Sequence, residues 1–327
     1  MKNVFSVRAP VDSLPEPIRK LLYLLGGEEE QKIALTGGMA RFVLLKSLAN
    51  QGKFINPAWL NEAAKLTDVD IKIGHYDSLP RSREEVIQRA AAIEERLKVV
   101  LAENVLKLDF DTMNFSGRDG IASERTISTL LGNMDVTVDE VVLMPRNGVW
   151  YLYYTPRCWK HTLEGVGILT AKNVRREKNG ITVPNSLALY RLARIFAAGK
   201  VAKAVIPKYL LDLYSENVNR LQKQRKLSKG ANLGHYSLAL VQSVKDNAPA
   251  QRRLMQFLSS LEMTKETNFE VWASAQEVLG RFGCNGRLFN FRNIPFAEKV
   301  ERKIAFIRKK EDQQMKKKKI RDTCNHN

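Results

Sequence analysis

The chain has 327 residues, 44% of them hydrophobic, and its 53 lysines and arginines outnumber 35 acidic residues for a formal charge of +18. Such an excess favours a polyanionic partner, most commonly nucleic acid, and the apolar content is sufficient for a substantial core of about two domains. Three widely spaced cysteines argue against a disulfide framework or a zinc site, and no apolar stretch is long enough to span a membrane.

The chain begins with a segment that predicts an extended arm followed by a helix, over residues 1–25. Prolines interrupt the early part, and Ile18 to Leu25 carry an apolar stripe. The apolar patch Leu21–Leu25 is too short for a signal peptide. Together with the unpaired cysteines, this indicates a reducing compartment, so we expect a cytoplasmic protein.

Residues 26–170 mix short apolar runs with amphipathic stretches, which predicts an α/β domain with a mixed sheet. The dipeptide Asn147-Gly148 between two apolar runs is a hairpin signal. We predict helices at Met39–Gln51, Pro57–Leu66 and Ser82–Leu101, and strands at Lys32–Thr36, Val69–Ile73, Val105–Thr112, Glu140–Met144, Val149–Tyr154 and Gly167–Thr170.

The remaining sequence predicts an all-α neck over residues 171–226 and a basic helical region over 227–327. Helical spacing starts at Ser186 and continues through residues 203–226, and the Lys-rich tail is expected to be disordered in isolation. Lysines and arginines recur in this half and would follow RNA phosphates without reading sequence. The residues that we expect to bind RNA are Arg225, Lys226, Lys317 and Lys318.

Two glycines, Gly37 and Gly38, stand where an apolar strand gives way to a helix. Glycines at such a turn let backbone N–H groups approach a phosphate, and the helix N-terminus adds a favourable dipole. Arg41 follows one turn into the helix and could reach a nucleotide phosphate. A surface ion pair is the alternative interpretation of Arg41.

Three aspartates in apolar strands form the second part of the pattern. Asp68 and Asp70 are two residues apart and so share one strand face, and Asp109 lies in a later strand of alternating polarity. Magnesium prefers such hard oxygen ligands together with substrate phosphates. The acids therefore indicate a two-metal phosphoryl-transfer centre, in which a third carboxylate binds a metal or accepts the proton of the attacking hydroxyl.

These motifs resemble those of the DNA polymerase beta-type nucleotidyltransferase superfamily, within it the class II group of bacterial poly(A) polymerases and CCA-adding tRNA nucleotidyltransferases. The resemblance covers roughly residues 33–200 and three ordered segments. They are Gly37–Arg41, similar to the Gly-Gly-x-x-Arg motif; Asp135–Asp139, similar to Asp-Phe-Thr-Ile-Asn; and Tyr190–Ala198, similar to an arginine-bearing neck helix.

The resemblance implies a magnesium-dependent enzyme that transfers a nucleoside monophosphate from ATP or CTP to an RNA 3′ end, of the tRNA-like or poly(A) type. Asp68, Asp70 and Asp109 would be the catalytic and metal-binding residues. The residues that would bind the nucleotide are Gly37, Gly38, Arg41, Asp135, Arg191 and Arg194.

The sequence departs from the family at its base-selecting positions. Asn133-Met134 stands where two arginines are usual, and Pro184–Ala188 lacks the acid and arginine that pair with the incoming base. Asp135 could instead cap the following turn, and Arg191 and Arg194 could form a solvated helix face. Two other functions therefore stay open: a nucleotidyltransferase with a non-RNA acceptor or a toxin-like target, and a non-catalytic RNA-binding protein on the same scaffold.

Overall fold

The structure of the protein is a computed structural model, and it describes most of the first two-thirds of the chain and one later helix. None of the described helices is long and apolar enough to cross a membrane. The described residues are 4–26, 32–66, 68–75, 79–114, 122–170, 174–176, 182–184, 186–210 and 247–260.

The strands form one large sheet and two small ribbons. In chain order they are β1 (Phe5–Arg8), β2 (Ile33–Thr36), β3 (Asp68–His75), β4 (Lys107–Asn114), β5 (Val141–Arg146), β6 (Val149–Tyr154), β7 (Val166–Ile168), β8 (Val174–Arg176), β9 (Thr182–Pro184) and β10 (Lys203–Val205).

The large sheet has six strands in the order β1-β6-β5-β2-β3-β4. Its β3–β4 pair is parallel and its other pairs are antiparallel, so the sheet is mixed, as the sequence predicts. The central strand β2 is buried along its whole length, which explains why it reads as an uninterrupted apolar run. The small ribbons pair β7 with β10 and β8 with β9.

Helices lie on both faces of the large sheet. In chain order, the described helices are α1 (Glu16–Leu25), α2 (Gly37–Asn50), α3 (Pro57–Ala64), α4 (Leu79–Glu103), α5 (Glu124–Gly132), α6 (Pro156–Glu164), α7 (Ser186–Ala197) and α8 (Ala248–Ser260), with short 3-10 turns at Val11–Ser13 and Thr137–Asp139; α7 and α8 pack in a cluster of their own.

Side-chain alternation along the strands separates two apolar layers. Leu35 and Leu143 pack with α1, α2 and α4 in the main core, whereas Ala34 and Val142 point to the opposite face and pack with α5. A third cluster joins α7 and α8 to the segment around Val136. The large sheet therefore lies between two helical layers, and α7 and α8 form a separate core with the segment around Val136.

Buried polar contacts fix the elements that follow the sheet. Glu140 is fully buried, accepts a hydrogen bond from Thr155 Oγ1 at 2.6 Å, and forms an ion pair with Arg157 of α6. Burial of a charge is costly unless it is paired in this way. Thr155 also caps α6, since its side chain accepts a hydrogen bond from the N–H of Cys158.

Most predicted elements between residues 32 and 154 are confirmed to within a few residues. The Asn147-Gly148 signal is a two-residue hairpin in which both residues have positive φ, 51° and 72°. The predicted strand at Gly167–Thr170 is shorter, Val166–Ile168, and pairs with β10 in a ribbon outside the large sheet.

Several predictions need correction. The stretch after Ser186 is not helical throughout, because Lys203–Val205 forms β10, and the β8–β9 ribbon lies in the segment predicted as a helical neck. The helices α5 and α6 were absent from the prediction, although Ser123 and Thr155 cap them. Residues 1–25, by contrast, contain an extended segment and then a helix, as predicted: β1 is an edge strand of the large sheet, and α1 follows it.

Candidate active site

The N-terminus of α2 lies directly against the carboxylate of Asp70. Gly37 begins the helix with φ at 65°, and a Cβ built on Gly37 would lie 2.1 Å from Asp70 Oδ2. A methyl group fits there only if the Asp70 carboxylate moves. At Gly38 the nearest atom to an added Cβ is Leu66 Cδ2 at 3.6 Å, an ordinary contact. The positive φ of Gly37 and the closeness of the Asp70 side chain on β3 therefore both favour glycine at this position, whereas neither applies to Gly38.

The predicted acids occupy one face of neighbouring strands. In the parallel β3–β4 pair Asp70 is directly opposite Asp109, and Asp68 precedes Asp70 by one pleat. Paired residues share a face, so the three carboxylates belong to the same surface, at half-buried positions. Two residues further along β3 and β4, Lys72 is opposite Asp111, and Lys72 Nζ forms an ion pair with Asp111 Oδ2 at 2.7 Å.

The donor set on this face suits magnesium in type. Asp68, Asp70 and Asp109 offer hard carboxylate oxygens from adjacent strands, as that ion prefers. Within the described ranges, no three or more His, Cys, Asp or Glu side chains are close enough together to hold a metal ion.

Arg41 lies inside the protein rather than on its surface. Its side chain is 6% exposed, and Nη1 donates a hydrogen bond to Asp139 Oδ1 at 2.5 Å. This ion pair connects α2 to the 3-10 turn before β5. The Nε atom of Arg41 is buried and has no hydrogen-bond partner among the described residues. Asp139, the last residue of the segment similar to Asp-Phe-Thr-Ile-Asn, was not among the predicted site residues.

Two other predicted nucleotide-binding residues, Asp135 and Arg191, form an ion pair that connects the segment before β5 to α7. Asp135 is buried and accepts a hydrogen bond from Arg191 Nη1, while its backbone oxygen accepts one from Thr170 N at 3.0 Å. Burial raises the pKa of the Asp135 carboxyl, and the Arg191 charge opposes that effect. Arg194, one turn further along α7, is half-buried.

Sequence reasoning missed Lys200, which lies among the charges of this site. Burial is the main cause that lowers the pKa of its ammonium to about 8, and the charges of Arg41 and Arg194 act in the same direction. The carboxylates of Asp68 and Asp139 oppose the shift. Spacing along the chain could not reveal Lys200, because a turn after α7 places it there.

The four residues predicted to bind RNA, Arg225, Lys226, Lys317 and Lys318, lie outside the described residues. Of the three cysteines, Cys158 is described, and it is buried and unpaired. Burial raises the pKa of its thiol, so this cysteine is a core residue rather than a nucleophile.

Comparison with known proteins yields one structural likeness. No protein-family model matches the chain, and no curated protein matches its sequence. Among solved structures, the CCA-adding enzyme of Thermotoga maritima complexed with tRNA is similar at a TM-score of 0.47 and 14% identity. The match covers 85% of this chain and 63% of that one. A likeness at this level assigns neither a family nor a function.

Proposed function

We propose that the protein is a magnesium-dependent nucleotidyltransferase that adds a nucleoside monophosphate from a nucleoside triphosphate to an RNA 3′ end. The observation that supports it best is the contact of Gly37 with Asp70, together with the position of Asp109 beside Asp70. A helix N-terminus binds phosphate and carboxylates bind cations, and here Asp70 lies against the helix N-terminus with Asp109 opposite it on the next strand. A nucleotide with its metal needs this combination.

Each residue has a distinct role in the proposed reaction. Asp68, Asp70 and Asp109 would hold two magnesium ions, which would supply positive charge to the phosphates and lower the pKa of the attacking hydroxyl. Asp109 would orient the RNA 3′-hydroxyl or take its proton. The hydroxyl oxygen attacks the α-phosphorus, the bond from that phosphorus to the bridging oxygen breaks, and pyrophosphate leaves with the electron pair. The backbone N–H groups at Gly37 and Gly38 would bind phosphate oxygens.

The net charge of +18 supports RNA as the acceptor, because an RNA strand is a polyanion. The base-selecting positions of similar enzymes are not matched at Asn133-Met134. That departure favours, as a second function, transfer of the same group to an acceptor other than RNA.

The test is incubation of the protein with total tRNA, magnesium and each labelled nucleoside triphosphate in turn. Asp68→Asn and Asp70→Asn should reduce incorporation into RNA to background, because each removes a metal ligand. Asp111→Asn is the matched control: it lies on the same sheet face, but its carboxylate is held by Lys72, so incorporation should persist.

The outcomes separate the alternatives. Incorporation that survives in both Asp68→Asn and Asp70→Asn would refute the assignment of the metal site. Label that enters protein but no RNA would move the proposal to a different acceptor. Magnesium-dependent nucleotide binding without any transfer would indicate a binding protein on this scaffold.

A further inference from the structure

Two tyrosines of β6 lie on the face of the large sheet against which α5 packs. Trp150 and Leu152 of the same strand belong to the main core, and strand residues alternate between faces, so Tyr151 and Tyr153 point the other way. Tyr153 packs against the apolar cluster under α5, and the two tyrosine rings lie side by side with their centroids 6.5 Å apart. Both side chains are half-buried, so part of each ring faces outward.

Two exposed arginines lie beside Tyr151 on the neighbouring strands. Arg8 of β1 is directly opposite Tyr151. On the other side, Arg146 of β5 is opposite Val149, which makes it a diagonal neighbour of Tyr151. Directly opposite side chains are about 5 Å apart at Cβ and diagonal ones about 7–8 Å, within reach of a long side chain. One patch, which we call the tyrosine surface, therefore comprises Arg8, Arg146, Tyr151 and Tyr153.

The charge of the tyrosine surface is positive. Within the three strands that form it, β1, β5 and β6, no residue is acidic. Asp12, which follows β1, belongs to a 3-10 turn that binds α2 on the other face of the sheet. Asp139 and Glu140, which precede β5, are each paired with an arginine, and Glu124 and Arg125 at the start of α5 offset each other. Tyrosines are common in strands and alone indicate no ligand, but here they stand between two guanidinium groups.

The proposed catalytic carboxylates share this face but lie apart from the tyrosine surface. Asp70 is opposite Thr36, two residues from Ala34 and on the same face. Since β5 and β2 lie between β6 and β3, Tyr153 and Asp70 are three strand spacings apart, or about 14 Å. The helix α5 covers the intervening strands at Val142 and Ala34. This separation exceeds the Debye length of about 10 Å at 0.1 M salt, so the carboxylates cancel little of the positive charge.

We propose that the tyrosine surface binds single-stranded RNA, with a base stacked on Tyr151 and the flanking phosphates bound by Arg8 and Arg146. A base presents a flat π-face to a tyrosine ring, and a phosphate accepts hydrogen bonds from a guanidinium group, so each nucleotide supplies both contacts. A duplex keeps its bases stacked on one another, and the tyrosines therefore favour single strands. This inference rests on the proposed function and extends it, because the acceptor strand is held at a second place, away from its reacting 3′ end.

The first test measures the affinity of the full chain for a fluorescently labelled single-stranded oligoribonucleotide by anisotropy, without nucleotide or magnesium. Tyr151→Leu should weaken binding at least fivefold, whereas Tyr151→Phe should retain it, because phenylalanine keeps the ring on which a base stacks. Arg8→Met should weaken binding and reduce its salt dependence, as the loss of one phosphate contact does. Tyr23→Leu and Arg19→Met, at exposed positions of α1 on the other face of the sheet, are the matched controls and should bind as the native chain does. Thermal melting confirms that each variant is folded.

A second measurement locates the RNA on the chain. The same oligoribonucleotide with 4-thiouridine in place of uridine is cross-linked to the protein by near-ultraviolet light, and the peptides released by trypsin are identified by mass spectrometry. The peptide of residues 147–157, which follows Arg146 and contains Tyr151 and Tyr153, should carry the cross-link. A duplex of the same sequence should leave this peptide unmodified, because its bases cannot stack on the tyrosines.

Several results would overturn the inference. Unchanged affinity in Tyr151→Leu, with no cross-link in peptide 147–157, would remove RNA from this surface, while the nucleotide-transfer assay still decides the proposed function. Equal losses in Tyr151→Leu and Tyr151→Phe would exclude base stacking. Binding to anionic phospholipid vesicles that depends on Arg8 and Tyr151, without a matching dependence for RNA, would assign the surface to a membrane instead. Absence of both RNA binding and nucleotide transfer in the native protein would refute the proposed function and this inference together.

Discussion

The adjacent glycines Gly37 and Gly38 should respond oppositely to alanine. At Gly37 a side chain would adopt a left-handed backbone, which costs about 1–2 kcal/mol, and its Cβ would lie 2.1 Å from Asp70 Oδ2, so the carboxylate must move. We expect Gly37→Ala to lower the free energy of unfolding by about 2–3 kcal/mol in total. At Gly38 the added Cβ has room, and alanine is a better helix former than glycine by about 0.5–1 kcal/mol.

Urea denaturation followed by circular dichroism measures both changes, and magnesium-dependent ATP binding reports on the site. Gly37→Ala should lose ATP binding as well as stability, because the displaced Asp70 no longer lies at the helix N-terminus. Gly38→Ala should be as stable as the native chain or slightly more so. If the two variants are destabilised equally, the close approach of Gly37 to Asp70 is not what requires glycine.

Three further substitutions test the stability of the fold. Val105→Gly should raise the free energy of unfolding by about 1 kcal/mol in urea titrations, since this exposed β-branched residue has φ at 53° after α4. Arg157→Met should lower it by about 2 kcal/mol by removing the partner of buried Glu140, whereas Lys160→Met on the same helix should change it by less than about 0.5 kcal/mol. Lys200→Met should stabilise the folded protein at pH 7, because burial lowers the pKa of the Lys200 ammonium to about 8, against 10.5 in the unfolded chain. Since Lys200 loses its proton in the folded chain before it does so in the unfolded chain, the native protein gains stability as the pH rises from 7 to 10. The gain from Lys200→Met should therefore shrink by about 2 kcal/mol over this range. A gain that does not change with pH would contradict the burial of its charge.

The part of the fold that the sequence predicted is the part whose signals are local. The run Ile33–Thr36, the glycines after it and the Asn147-Gly148 turn each specify their own structure within a few residues, and all three are confirmed. The helix α6 was missed because its apolar positions are few, although Thr155 and Pro156 mark its beginning. Short strands such as β10 carry no period of their own and form only because β7 lies beside them.

In the candidate site, too, local features could be predicted from the sequence, whereas contacts between distant residues could not. The alternation of polar and apolar residues predicts which face of its own strand each of Asp70 and Asp109 occupies. That the two residues lie opposite each other depends on the register of β3 against β4, which is set by the packing of the folded chain. The partners Asp139 for Arg41 and Asp135 for Arg191 lie 98 and 56 residues away, so no local pattern could have identified them. Lys200 was missed for the same reason, since the charges around it lie on four elements, namely α2, β3, the 3-10 turn before β5, and α7.

The strand order also bears on how the chain folds as it is synthesised. Residues 33–114, which supply β2, α2, β3, α4 and β4, form one continuous block that contains all three aspartates and both glycines. The first strand, in contrast, pairs with β6, so Phe5 finds its partner at Tyr154 only after nearly 150 further residues have been made. Contacts that are close in sequence form early because their loops cost little entropy to close. The corner that carries the three aspartates can therefore form before the strand that pairs with β1 has been synthesised.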